Sequence, residues 1–183
     1  MSKPIRVLFL EDRATDAEML IRELRRAGFD PQWKRVETEP DFLAEIKNSP
    51  DIILSDYSMP QFNGLEAARL LRESGLNIPF ILISGTVGED VAVEAMKHGA
   101  NDYLLKDRIA RLGAAVEQAL EQKRLRDEHK RADEEIRSQL DELRRWHEVM
   151  LDREERILEL KHEVNEVLTR YNQPERYSIP TAS

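Results

Sequence analysis

The sequence predicts an α/β fold, a doubly wound five-stranded parallel sheet followed by a long C-terminal helix with coiled-coil character. Three observations carry this. Between Met1 and about Leu105, short apolar runs alternate with helix-period segments, the pattern that successive βαβ units produce. The runs Ile52-Ile53-Leu54 and Phe80-Ile81-Leu82-Ile83 are continuously apolar, as expected of strands covered by helices on both faces. Beyond about Arg108, glycine occurs once, at Gly113, and proline is absent until Pro174, so that neither strong helix breaker interrupts a long helix.

In chain order, the predicted strands are Val7 to Leu10, Gln32 to Val36, Ile52 to Leu54, Phe80 to Ile83 and Tyr103 to Leu105. Helices fall between them. Thr15, with Glu18 three residues on, reads as a capping box at the first helix, and Thr38 before Glu39-Pro40 places a proline in the first turn of the second. Gly28 and Gly99 mark helix ends. Residues Ile136, Leu143, Met150, Ile157, Val164 and Tyr171 recur every seventh position along the final helix. Trp146, Leu160 and Val167 fill part of a second seam that Gln139 and Arg153 interrupt, which makes an imperfect heptad pattern. The stretch Gln122 to Glu135 is nearly all charged and reads as a helical joint without a core. The expected organisation is a domain over 1–122, a coiled-coil extension over 123–172 and a disordered tail over 173–183.

Charged residues make up 35% of the 183, and the formal net charge is -8. Such a balance repels nucleic-acid phosphates, and neither a basic face nor a helix-turn-helix is visible, so no nucleic-acid partner is expected. The chain has no cysteine, which removes disulfides, thiolate metal sites and cysteine nucleophiles and suits a reducing compartment. The first apolar stretch, Ile5 to Leu10, contains Arg6 and runs into Glu11 and Asp12, so it does not serve as a signal-peptide core. No run approaches the ~20 apolar residues of a membrane span. A cytoplasmic protein without a membrane partner is the expectation.

Chemistry gathers at the strand ends. Glu11 and Asp12 follow the first strand, Asp56 the third, Ser84 ends the fourth and Lys106 follows the fifth. A doubly wound sheet brings these ends to one edge, where ligands bind. Three carboxylates crowded there repel one another, and a hard, oxygen-seeking cation such as Mg²⁺ compensates them. An oxygen nucleophile, a cation, a hydroxyl and an ammonium are the parts that phosphoryl transfer needs.

With these residues in order, the chain resembles the receiver domain of bacterial response regulators over roughly residues 4–122. The segment Asp56-Tyr57-Ser58-Met59-Pro60-Gln61-Phe62-Asn63-Gly64 matches that family's loop from acceptor to third helix, with its Met-Pro pair and closing glycine. The resemblance implies a flavodoxin-like receiver fold with Asp56 as phosphoacceptor. It implies Mg²⁺ held by Glu11, Asp12, Asp56 and the backbone carbonyl of Ser58, and Lys106 and Ser84 acting on the phosphoryl group. Ser84 and Tyr103 take the positions of the switch pair, and Thr86 and Ser58 those of residues that tune dephosphorylation. One departure stands out: Asp107 follows Lys106 where the family usually has proline.

A cognate sensor histidine kinase is the implied phosphoryl donor, with an unknown protein downstream. The chain is expected to be a phosphoacceptor with intrinsic autodephosphorylation, not an enzyme acting on a separate substrate. The alternative is a phosphorelay intermediate or sink that passes phosphate between histidine-containing partners. Leu143 to Leu168 resembles the coiled linkers of sensor kinases, and its apolar row needs a partner, most simply the same helix of a second chain in a parallel homodimer, the alternative being a fold-back or the coil of a different protein. His147-Glu148 lacks the basic residue and proline of a kinase phosphohistidine motif and reads as a solvated or seam-edge histidine.

Overall fold

The computed structural model describes residues 2–86, 88–174 and 176–178. They fall into two compact units, Met1–Asp127 and Glu128–Ser183. The first contains β1 (Lys3–Leu10), α1 (Ala14–Arg26), β2 (Phe29–Val36), α2 (Glu39–Ile46), β3 (Ile52–Asp56), α3 (Gly64–Glu73), β4 (Phe80–Ser84), α4 (Glu89–Lys97) and β5 (Asp102–Leu105). A 3-10 helix (Lys106–Arg111) then leads into α5 (Leu112–Arg170). The five strands form one parallel sheet in the order β2-β1-β3-β4-β5. The predicted doubly wound sheet and long final helix are therefore both present.

Alternation along the strands divides the core. Val7 and Phe9 face α1 and the start of α5, packing with Leu20, Leu24, Leu112 and Val116, whereas Leu8 and Leu10 face α2 and α3, packing with Phe42, Ile46 and Leu71. β3 and β4 are buried at every position, because helices cover both of their faces. Burying a side chain such as Phe9, Phe42 or Phe80, each fully enclosed, stabilises by ~1.5–3 kcal/mol. β2 tolerates Pro31 because it lies at the sheet edge, where a missing N–H breaks no central ladder.

Helix signals fare unevenly. Thr38 caps α2 by accepting the Asp41 N–H, with Pro40 in the first turn, and Asn63 caps α3 by accepting the Glu66 N–H at 2.9 Å. Gly28 and Gly99 follow α1 and α4 at φ 88° and 99°, a backbone region that favours glycine. The Thr15/Glu18 capping box does not form. The N-cap of α1 is Arg13, which makes no side-chain cap, and Thr15 lies within the helix. Glu11 fixes this start, since its Oε1 accepts the Arg13 N–H at 3.2 Å.

In the second unit α5 remains helical through the charged stretch and carries exposed Ile136, Leu143, Trp146, Met150 and Ile157. Its end is closed by Asn165, a buried amide whose Oδ1 accepts the N–H groups of Arg176 and Tyr177 and whose Nδ2 donates to the Tyr177 carbonyl. Of the tail expected to be disordered, Glu175 and residues 179–183 lie outside the described residues.

Candidate functional site

The sheet builds the site. From β1 the chain steps outward to β2 and then returns to β3 on the other side, so the strand order reverses between β1 and β3. At such a switch point the loops leaving neighbouring strands diverge and open a crevice at the carboxyl ends. Register sets what faces the crevice. Leu10 pairs with Ser55, Asp56 with Ile83 and Ser84 with Leu105. Glu11, Asp56, Ser84 and Lys106 therefore arrive at neighbouring strand ends.

One carboxylate oxygen from each of Glu11, Asp12 and Asp56 lies within 4.8 Å of the others. Glu11 and Asp56 are buried and Asp12 is half-buried. Lys106 Nζ stands 3.3 Å from Asp56 Oδ1 and 3.6 Å from Glu11 Oε2. That places it within ion-pairing reach of Asp56, yet Asp56 Oδ1, a fully enclosed oxygen, is left without a hydrogen-bond partner among the described residues. Burial, reinforced by the Asp56 charge, pushes the Glu11 carboxyl up to about 7, against the Arg13 N–H and Lys106, which lower it. Burial acts to lower the Lys106 ammonium, but the Asp16 hydrogen bond and the charges of Glu11 and Asp56 outweigh it and raise the pKa.

This donor set fits a hard divalent cation. It offers only oxygen ligands, it is short of positive charge, and it holds an orphaned carboxylate oxygen where a partner is needed. Glu11, Asp12 and Asp56 would hold the ion. Ser58, expected to add its backbone carbonyl, lies exposed two residues past Asp56.

Behind Asp56 the packing is tight. A Cβ on Gly64 would meet Leu82 Cδ1 at 2.3 Å and the Asp56 carbonyl oxygen at 2.6 Å. Any side chain there would press on the backbone of Asp56, which accounts for the glycine that opens α3. On the other flank, Ser84 Oγ donates to the Thr86 carbonyl at 3.1 Å and accepts the Thr86 N–H at 3.2 Å. Tyr103 Oη donates to the same carbonyl at 2.9 Å. Thr86 thus joins the two residues read as a switch pair. Lys106 begins the 3-10 helix, and Asp107 beside it is exposed. His147 is likewise exposed, on the second unit's part of α5.

One member of the constellation was not anticipated. Asp16, in the first turn of α1, accepts a hydrogen bond from Lys106 Nζ at 2.5 Å, closer than either Asp56 or Glu11. Its position in the first turn of the helix that follows the acid pair is the signal that could have marked it.

No described helix is long and apolar enough to cross a membrane. The sequence profile described as the response regulator receiver domain matches residues 7–117. The chain is 32% identical over 117 residues to the cell cycle transcriptional regulator CtrA of Caulobacter vibrioides, an alignment covering 61% of this chain and 50% of that protein. It is 30% identical over 117 residues to the phosphate regulon transcriptional regulatory protein PhoB of Pseudomonas aeruginosa, covering 60% and 51%. Thus the chain spans about half the length of these curated relatives. The solved response regulator receiver domain from Clostridium thermocellum superposes with a TM-score of 0.58 at 25% identity, covering 66% of this chain and 98% of that one. With the reversed strand order, the acid cluster at the switch point and the lysine after β5, these matches establish that the chain belongs to the response regulator receiver domain family.

Proposed function

We propose that the chain is a cytoplasmic, Mg²⁺-dependent phosphoacceptor that takes a phosphoryl group from a sensor histidine kinase onto Asp56. The observation that carries this is the enclosed Oδ1 of Asp56, without a hydrogen-bond partner, amid two further acids and one ammonium. In the step, a carboxylate oxygen of Asp56 attacks phosphorus, the bond from phosphorus to the donor's imidazole nitrogen breaks, and an acyl phosphate forms as the free histidine leaves. Bound Mg²⁺ supplies charge neutralisation for the phosphoryl oxygens. Lys106 and Ser84 provide an ammonium and a hydroxyl for the transferred group. Hydrolysis of the acyl phosphate by water resets the protein, which is why it is read as an acceptor and not as an enzyme with a separate substrate.

Switching follows from Thr86. Its carbonyl accepts from both Ser84 and Tyr103. A Ser84 hydroxyl that turns toward a phosphoryl group must release that carbonyl, leaving Tyr103 as its donor and shifting the population of the β4–α4 loop. The output we propose is α5, with a second copy of the chain as partner and an unknown protein downstream. Its row Ile136, Leu143, Met150, Ile157, Val164 and Tyr171 is 40–78% exposed at heptad spacing, an arrangement that a parallel coiled coil buries.

Incubation with acetyl phosphate and Mg²⁺, followed by intact mass spectrometry, should add one acid-labile phosphoryl group and move the Tyr103 ring resonances. Absence of label with Mg²⁺ present would refute the acceptor reading. Label without any change at Tyr103 would refute the switch.

A further inference from the structure

We propose that Asp16 is a positioning residue that competes with Asp56 for the Lys106 ammonium and keeps it from hydrogen-bonding the acceptor in the unphosphorylated protein. This rests on the phosphoacceptor reading and adds to it a device that sets how readily the switch is thrown. Lys106 stands 2.5 Å from Asp16 Oδ2 and 3.3 Å from Asp56 Oδ1, and only the first contact is a hydrogen bond. The same ammonium therefore hydrogen-bonds a helix carboxylate while the buried oxygen of the acceptor, although within ion-pairing reach, receives no hydrogen bond. Both ends of the Asp16 contact are partly shielded, with Lys106 and Asp16 side chains 22% and 24% exposed, so the contact is stronger than an exposed surface pair. A phosphoryl group on Asp56 must draw Lys106 away from Asp16 or share it. That difference opposes the phosphorylated state by the strength of one partly shielded charge-assisted bond.

The consequence is specific. Asp16→Asn, nearly isosteric and in an accessible first turn of α1, releases Lys106 and should tighten binding of beryllofluoride, an acyl-phosphate mimic, in the presence of Mg²⁺. The expected gain is about three- to tenfold in apparent affinity, the range of a typical net intramolecular hydrogen bond. Removing a negative charge favours any nearby anion, so the gain is measured in two backgrounds by titration of the full chain. It should be present with Lys106 and absent in Lys106→Met, whereas Asp16→Glu, which keeps the carboxylate, should stay near the parent. An equal gain in the Lys106→Met background would reduce Asp16 to a general field effect and overturn the proposal. Unchanged or weaker binding in Asp16→Asn would overturn it as well, the latter by making Asp16 a support for Lys106 instead of a competitor. If the parent chain itself binds no beryllofluoride with Mg²⁺, the phosphoacceptor reading fails first and this inference with it.

Discussion

Replacing Glu11 by Gln should stabilise the metal-free protein at neutral to alkaline pH and destabilise its Mg²⁺ complex. The carboxyl of Glu11 is raised from 4.5 to about 7, chiefly by burial and next by the charge of Asp56. The sign follows from linkage. A carboxyl with a folded pKa above its unfolded value binds its proton more tightly in the native state, so stability falls as pH rises from about 4.5 to about 7. Above that range both states are ionised and the full cost is present; below it both are protonated and the cost disappears. A difference of about 2.5 pK units corresponds to on the order of 3 kcal/mol. Gln retains an oxygen for the Arg13 N–H that Glu11 now accepts, so little else is lost. Urea melts in EDTA should place Glu11→Gln above the parent by about 2–3 kcal/mol at pH 8 and level with it at pH 4.5. Saturating Mg²⁺ should reverse the order at pH 8, because the substitution removes a ligand charge. A gap that does not vary with pH, or a variant less stable than the parent in EDTA at pH 8, would refute the reasoning.

Gly64→Ala should cost about 1–3 kcal/mol of stability and slow phosphorylation, because its Cβ would fall 2.6 Å from the Asp56 carbonyl oxygen; a melt and a rate both equal to the parent's would contradict this. For the output helix, sedimentation of the intact chain at tens of micromolar should give a dimer, and a chain ending near Gln122 a monomer. A monomeric intact chain would defeat the homodimer, and an equally dimeric truncation would move the interface to the receiver.

Much of the fold is legible because buried parallel strands have few disguises. Ile52 to Leu54 and Phe80 to Ile83 could scarcely be anything else, and the site residues stand in order at the ends of such runs. The edges were harder to read. β1 and β2 begin at Lys3 and Phe29, earlier than the apolar runs suggest, since polar Lys3 and Arg6 and the Pro31 of an edge strand carry no core signal. Thr15 misled for a local reason: a capping box is defined by spacing alone, whereas α1 starts where the Glu11 carboxylate ties down the Arg13 N–H. Asp16 was missed because its partner lies 90 residues away. No local pattern reports such a pairing, although an acid in the first turn of the helix after an acid pair was a hint. The glycine that closes the segment Asp56 to Gly64 was legible as part of the matched loop, whereas its reason, a Cβ that would fall 2.6 Å from the Asp56 carbonyl oxygen, shows only in the packing.

Locating the phosphorylated residue decides whether Asp56 is the acceptor. After treatment with acetyl phosphate and Mg²⁺, borohydride reduction converts an aspartyl phosphate to homoserine, and peptide mass spectrometry then locates it. Homoserine should appear at position 56 alone, and the Asp56→Asn chain should take up no label. Homoserine at Asp12 or any other position, or undiminished acid-labile label on Asp56→Asn, would place the acceptor elsewhere.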